Sequence, residues 1–238
     1  MNAIDGSISL FFSSLASHHP GLNSFLLWVA NSYFVKGQVM ILLWWWVWFC
    51  PGTERHRRRQ VLAAALLGCV FGLAIGRVMV STLPLRLRPT DNPAFHFIAG
   101  PFSPNPTPET SFPSDHAILF VGLATGIFLA SRRVGSLALA YVAIVICFPR
   151  LWLGFHFLTD LLAGALIGAG IVLLLNQDKV RSALARPLLS LVEAKPHFFY
   201  AGLLLFSYQV SEMFDPLRDT LTYLHHHGGP VIVSMIAR

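Results

Sequence analysis

Six apolar runs, at about 22–50, 60–83, 117–131, 134–149, 156–175 and 198–214, set the limits on what this chain can fold into. A helix needs roughly 20 apolar residues to cross the hydrocarbon core of a bilayer, and lipid offers no water to pair an open backbone. Each run is therefore read as a membrane helix. Composition agrees: 55% of the 238 residues are hydrophobic and 12% are charged, against about 25% charged in soluble domains. The predicted architecture is all-α, a polytopic membrane protein with six transmembrane helices in one domain spanning 1–238. The runs at 117–131 and 134–149 are short. Each has polar residues at one end that suit a cavity below the membrane surface.

A net charge of +6 raises the question of nucleic acid, but the basic residues cluster between the apolar runs, so no nucleic-acid partner is expected. Arg55, Arg57, Arg58 and Arg59 follow the first run, Arg132 and Arg133 separate the third and fourth, and Lys179, Arg181, Arg186 and Lys195 follow the fifth. The positive-inside rule sets all three clusters in the cytoplasm. That leaves the loops 84–116 and 150–156 and the tail after Asp215 on the extracytoplasmic side. Residues 4–17 are moderately apolar and Ser-rich, so 1–20 reads as a helix lying in the membrane interface. The Trp44, Trp45, Trp46, Trp48 cluster reads as an interfacial aromatic belt. Cys50, Cys69 and Cys147 lie in apolar runs without a CxxC spacing and read as small core residues.

The two outer loops carry residue types that a bilayer otherwise excludes. Arg86-Leu87-Arg88-Pro89 comes first, then Ser111-Phe112-Pro113-Ser114-Asp115-His116, then Arg150 with His156 and Asp160 behind it. His156 and Asp160 stand four residues apart, so a carboxylate can orient one imidazole nitrogen and leave the other as a base or nucleophile. Ser114 sits at a helix start, where free N–H groups and the helix dipole favour an anion. Arg88 and Arg150 offer planar donors for phosphate oxygens, and His116 supplies a second imidazole for acid–base work.

These motifs resemble the type 2 phosphatidic acid phosphatase superfamily of membrane lipid phosphatases, whose signature is an Arg-Pro, a Pro-Ser-x-His and an Arg-x5-His-x3-Asp in that order. Ser-Phe-Pro-Ser-Asp-His-Ala at 111–117 is most similar to the bacterial undecaprenyl diphosphate phosphatases. The resemblance covers about 60–175, the expected catalytic core. It implies hydrolysis of a terminal phosphate of a lipid phosphate or diphosphate, first of all undecaprenyl diphosphate. His156 would be the nucleophile forming a phosphohistidine, Asp160 its orienting carboxylate and His116 the acid. Arg88, Ser114 and Arg150 would bind phosphate. Neither metal nor cofactor is implied. The implied partners are the lipid phosphate and surrounding membrane lipids, and the implied location is a bacterial inner membrane with the site facing the periplasm or outside. Two positions depart from the family pattern: Ser81 stands where many members have Lys, and Pro149 where Ser usually precedes the Arg. Arg86 is the residue that could replace the missing Lys.

Alternatives within the class are a phosphatidate, phosphatidylglycerophosphate or lipid A phosphatase, or a phosphotransferase. A different class is a transporter or scaffold that only binds an anionic headgroup. Lys36 and Arg77 lie inside apolar runs and are functional candidates on that ground; Lys36 can face a polar interior or pair with Glu212. Asp115 would repel a phosphate, so it is expected to turn toward the helix dipole or an Arg. Three adjacent residues, His225, His226 and His227, cannot converge on one ion in a regular helix or strand. The segment from Asp91 to Glu109 is a candidate lid.

Overall fold

The computed structural model describes residues 2–97, 110–217, 220 and 223, and among these all regular structure is helical. The His225–His227 run and most of the candidate lid lie outside the described residues. In chain order the helices are α1 (Ala3–Ser17), α2 (Pro20–Asn31), α3 (Val39–Phe49), α4 (Arg55–Thr82), α5 (Asp115–Ala130), α6 (Arg132–Tyr141), α7 (Phe148–Trp152), α8 (Leu158–Leu175), α9 (Asp178–Ala194) and α10 (Pro196–Ser211). Wide π-helical turns join α2 to α3 at Phe34–Gln38 and α6 to α7 at Val142–Cys147.

Three helical stretches are long and apolar enough to cross a membrane: Arg55–Thr82, Arg132–Trp152 and Leu158–Leu175. The first apolar run is broken at Ser32, and its two halves bend by 61°, making a fourth crossing if they act as one. Helix α5 is apolar but has only 16 residues, about 24 Å of rise against a hydrocarbon core of about 30 Å. Its polar start can therefore sit below the membrane surface. The segment between the fifth and sixth runs, read from sequence as a basic loop, folds as α9.

Helix α5 lies at the centre, packed against α4 on one side and α8 on another. Small residues make this possible. Hydrocarbon is as apolar as leucine, so helices in it associate by close packing rather than by escaping water. Gly164 and Gly168 of α8 face the first turns of α5. A Cβ on Gly168 would lie 2.1 Å from the Ile118 carbonyl oxygen, and one on Gly164 would lie 2.5 Å from that of Ser114. Both obstacles are backbone, which cannot swing aside. Gly168→Val is thus expected to push α8 off α5 at a cost of about 1–3 kcal/mol, read as a lower melting temperature in detergent. An unchanged melting temperature would contradict this packing.

The largest fully buried side chains include Trp44, Trp48 and Phe120. The aromatic belt expected at the interface is therefore divided. The four-residue spacing of Trp44 and Trp48 turns both rings inward, stacked with centroids 4.9 Å apart, while Trp46 is 69% exposed.

Helix α1 has its polarity inside out. Asp5, Ser9 and Ser13 are buried against the protein, while Ile4, Leu10 and Phe11 face outward. Asn2 caps it by accepting the Asp5 N–H at 2.7 Å. This suits a helix that touches lipid with one face and the polar end of the bundle with the other.

Candidate active site

Of the six residues expected to act in catalysis or phosphate binding, three line one cavity of about 190 Å³: Arg88, His116 and His156. Thr110, Arg77 and Asp215 share its wall. Arg88 stands in extended backbone before a short 3-10 turn at Pro89–Asp91. His116 is the second residue of α5. His156 lies in the turn just before α8, so the shared helical face expected for His156 and Asp160 gives way to a tighter local arrangement.

That arrangement fixes His156. Its Nδ1 is 3.0 Å from the Ser111 carbonyl oxygen. A carbonyl can only accept, so Nδ1 carries the hydrogen and Nε2 is left with its lone pair. The Asp160 carboxylate, expected from sequence to take this bond, stands 3.8 Å from Nδ1. Its oxygens are engaged elsewhere: Oδ2 accepts the Phe157 N–H at 2.9 Å and Oδ1 accepts from Arg86 Nη1 at 2.5 Å. Asp160 is fully buried, with its carboxylate close to His156 but making no direct hydrogen bond to it.

Ser114 is the N-cap residue of α5, but its hydroxyl makes no capping bond and is buried without a partner among the described residues. Its N–H donates to the Asp160 carbonyl at 3.2 Å, tying the start of α5 to the start of α8. Arg150 is 2% exposed and is not among the residues that line the cavity. Its guanidinium donates to the Ile146 carbonyl at 2.8 Å and to that of Ala30 at 3.0 Å, at the end of α2. Arg150 still lies close enough to interact electrostatically with His116, as do Lys36 and Arg88. The His116 Nε2 is buried with no hydrogen-bond partner among the described residues.

Asp115 turns to an arginine, with Arg77 Nη2 2.6 Å from its Oδ2. Arg77 comes from α4, one helical turn before Ser81. Lys36 is buried, with its ammonium 4.2 Å from the centroid of the Tyr33 ring. Among the described residues, no group of three or more His, Cys, Asp or Glu side chains converges as a metal site.

The principal surprise is Asp5. It is fully buried, accepts from Arg86 Nη2 at 2.5 Å and from the Thr159 hydroxyl at 2.6 Å, and takes the Thr159 N–H at 3.1 Å. Arg86 thus joins two buried carboxylates, Asp5 of α1 and Asp160 of α8, and lies 4.3 Å over the Phe157 ring. Arg86 is held by the two carboxylates and does not line the cavity with Arg88, His116 and His156, the place a stand-in for the family Lys would occupy. The signal for Asp5 was a single carboxylate in an otherwise uncharged apolar helix, with nothing in the spacing to name its partner.

Comparison with known proteins adds the following. Residues 81–182 match the model of the PAP2 superfamily. The Bacillus licheniformis protein named bacitracin transport permease protein BcrC is 27% identical over 188 residues, covering 77% of this chain and 84% of its own. The undecaprenyl-diphosphatase BcrC of Bacillus subtilis (strain 168) is 27% identical over 158 residues, covering 66% of this chain and 75% of its own. No solved structure gives a match.

Proposed function

We propose, from the match of residues 81–182 to the PAP2 superfamily and from the apolar helices of an integral membrane protein, an enzyme that removes the terminal phosphate of undecaprenyl diphosphate through a phosphohistidine. The observation that carries this reading is the Ser111 carbonyl on His156 Nδ1, which leaves Nε2 as a nucleophile beside Arg88 and His116 in one cavity. Nε2 attacks the terminal phosphorus, the bridging P–O bond breaks, and His116 gives a proton to the departing lipid phosphate. The phosphoimidazolium is cationic, and the Asp160 carboxylate at 3.8 Å favours that charge. Neutral His116 then takes a proton from water as the water oxygen attacks phosphorus. The N–P bond breaks and inorganic phosphate leaves. Arg88 binds the phosphate oxygens. Arg150 and Ser114 support the same region, Arg150 through its charge and Ser114 through the α5 start.

The same reading takes the chain as one unit over 1–238 with six crossings, α5 and α10 completing the set. The site faces away from the cytoplasm of a bacterial inner membrane. The relative named a transport permease keeps a second reading in view, in which the cavity binds a headgroup without cutting it. Purified protein in detergent with EDTA separates the readings. Release of inorganic phosphate from undecaprenyl diphosphate, faster than from phosphatidate or phosphatidylglycerophosphate, is the expected result. Faster release from phosphatidate would move the substrate assignment. Binding of undecaprenyl diphosphate without release would support the transport reading.

A further inference from the structure

The headgroup cavity continues past its ion pair. A second cavity of about 200 Å³ is lined by Val70, Leu73 and Ala74 of α4 and by Met213 and Phe214 beyond α10, and its polar end is formed by Arg77 and Asp115. Arg77, Asp115 and Met213 line both cavities. Residues 70, 73, 74 and 77 recur at helical spacing and lie on one face of α4. The groove therefore runs about 10 Å along α4, away from the histidines. Its neighbours on α4, Phe71 and Val78, are 54% and 61% exposed, as expected where a membrane helix meets hydrocarbon.

The far wall has an unusual origin. Met213 and Phe214 have φ of 55° and 62°, the left-handed region that non-glycine residues enter at a cost. Two such residues in succession persist only where the surroundings impose them. The Phe214 N–H reaches back to the Gln209 carbonyl at 2.7 Å and the Met213 N–H to that of Val210 at 3.2 Å. The helix end is thereby folded over so that both side chains close the groove against α4. Phe214 is further held by an edge contact with Phe206, with centroids 5.9 Å apart.

We propose that this groove is the subsite for the first carbons of the substrate's lipid chain, with Met213 and Phe214 as the wall that discriminates among chains. The inference rests on reading the adjoining cavity as the headgroup site. A charged cavity that continues into an apolar groove facing lipid matches a molecule with a diphosphate head and a hydrocarbon tail. The groove is no more apolar than the surrounding hydrocarbon, so it gains little from hydrophobic transfer and acts through shape. Its effect is on which chain is accepted rather than on overall membrane partitioning.

The test compares kcat/KM for farnesyl diphosphate, whose chain reaches the groove, with that for isopentenyl diphosphate, whose five carbons end near the headgroup. Ala74→Trp fills the groove from an exposed helix face, and Phe214→Ala opens its wall. Each is expected to lower the farnesyl-to-isopentenyl ratio by roughly tenfold, within the range that pocket shape gives, chiefly through KM for the longer chain. A ratio equal to wild type in both variants would overturn the groove assignment while leaving the headgroup site standing. Wild-type protein that releases phosphate from neither compound, nor from undecaprenyl diphosphate, would instead overturn the headgroup reading and the groove with it.

Discussion

Replacing His156 with Gln is expected to reduce phosphate release by about 10³-fold or more, the scale seen when a covalent nucleophile is removed from a unit that works together. Gln retains polarity and nearly the same reach, so binding of the lipid should persist and the loss should fall on kcat. Replacing His116 with Gln is expected to act differently, because its role is to give a proton to the leaving group. General acid catalysis contributes about 10²–10⁴-fold where the leaving group needs the proton. A lipid phosphate leaving from a diphosphate is already a weak base, with a second pKa of about 6, whereas the alkoxide leaving from phosphatidate is a strong one. His116→Gln should therefore harm phosphatidate hydrolysis more than undecaprenyl diphosphate hydrolysis, while His156→Gln should harm both equally. Equal effects of the two variants on both substrates would remove the distinction of roles.

The second large effect is expected at Arg86. Arg86→Met keeps the length and the contact with Phe157 but leaves Asp5 and Asp160 facing each other without a cation. Breaking a buried ion pair by removing one partner costs about 3–5 kcal/mol, because the remaining charge stays buried and uncompensated. Both carboxylates are fully buried here, while the arginine side chain is 25% exposed, so the lower end of that range applies. The variant should melt at a lower temperature and lose activity as Asp160 shifts from His156. An arginine that served only as a phosphate ligand would give the opposite signature, a raised KM with an unchanged melting temperature. Adding Asp5→Asn to Arg86→Met should recover part of the stability by removing one of the stranded charges.

Much of the site was legible because its chemistry is polar and its surroundings are not. Arg88, His116 and His156 stand out against apolar runs, and the structure brings them to one cavity. Arg77 was marked by the same contrast, and Asp115, expected to turn toward the helix dipole or an arginine, proves to be its partner. What the spacing could not carry was the choice between neighbouring acceptors. His156 and Asp160 at i and i+4 suggested a direct bond, but the helix starts two residues later than that face requires, and the Ser111 carbonyl, 45 residues away in sequence, takes the place. Asp5 was hidden for the same reason, since its partners are 81 and 154 residues away. Hydropathy located the apolar runs but not the bend at Ser32 or the inward turn of Trp44 and Trp48. Those depend on which helix each face meets.

The most direct measurement is to mix the enzyme with undecaprenyl diphosphate carrying ³²P in the terminal phosphate, quench within milliseconds in alkali, and follow the label on the protein. The account expects an alkali-stable, acid-labile phosphoprotein that forms before phosphate is released and is absent in His156→Gln. Phosphate released at the wild-type rate with no label ever carried by the protein would contradict it.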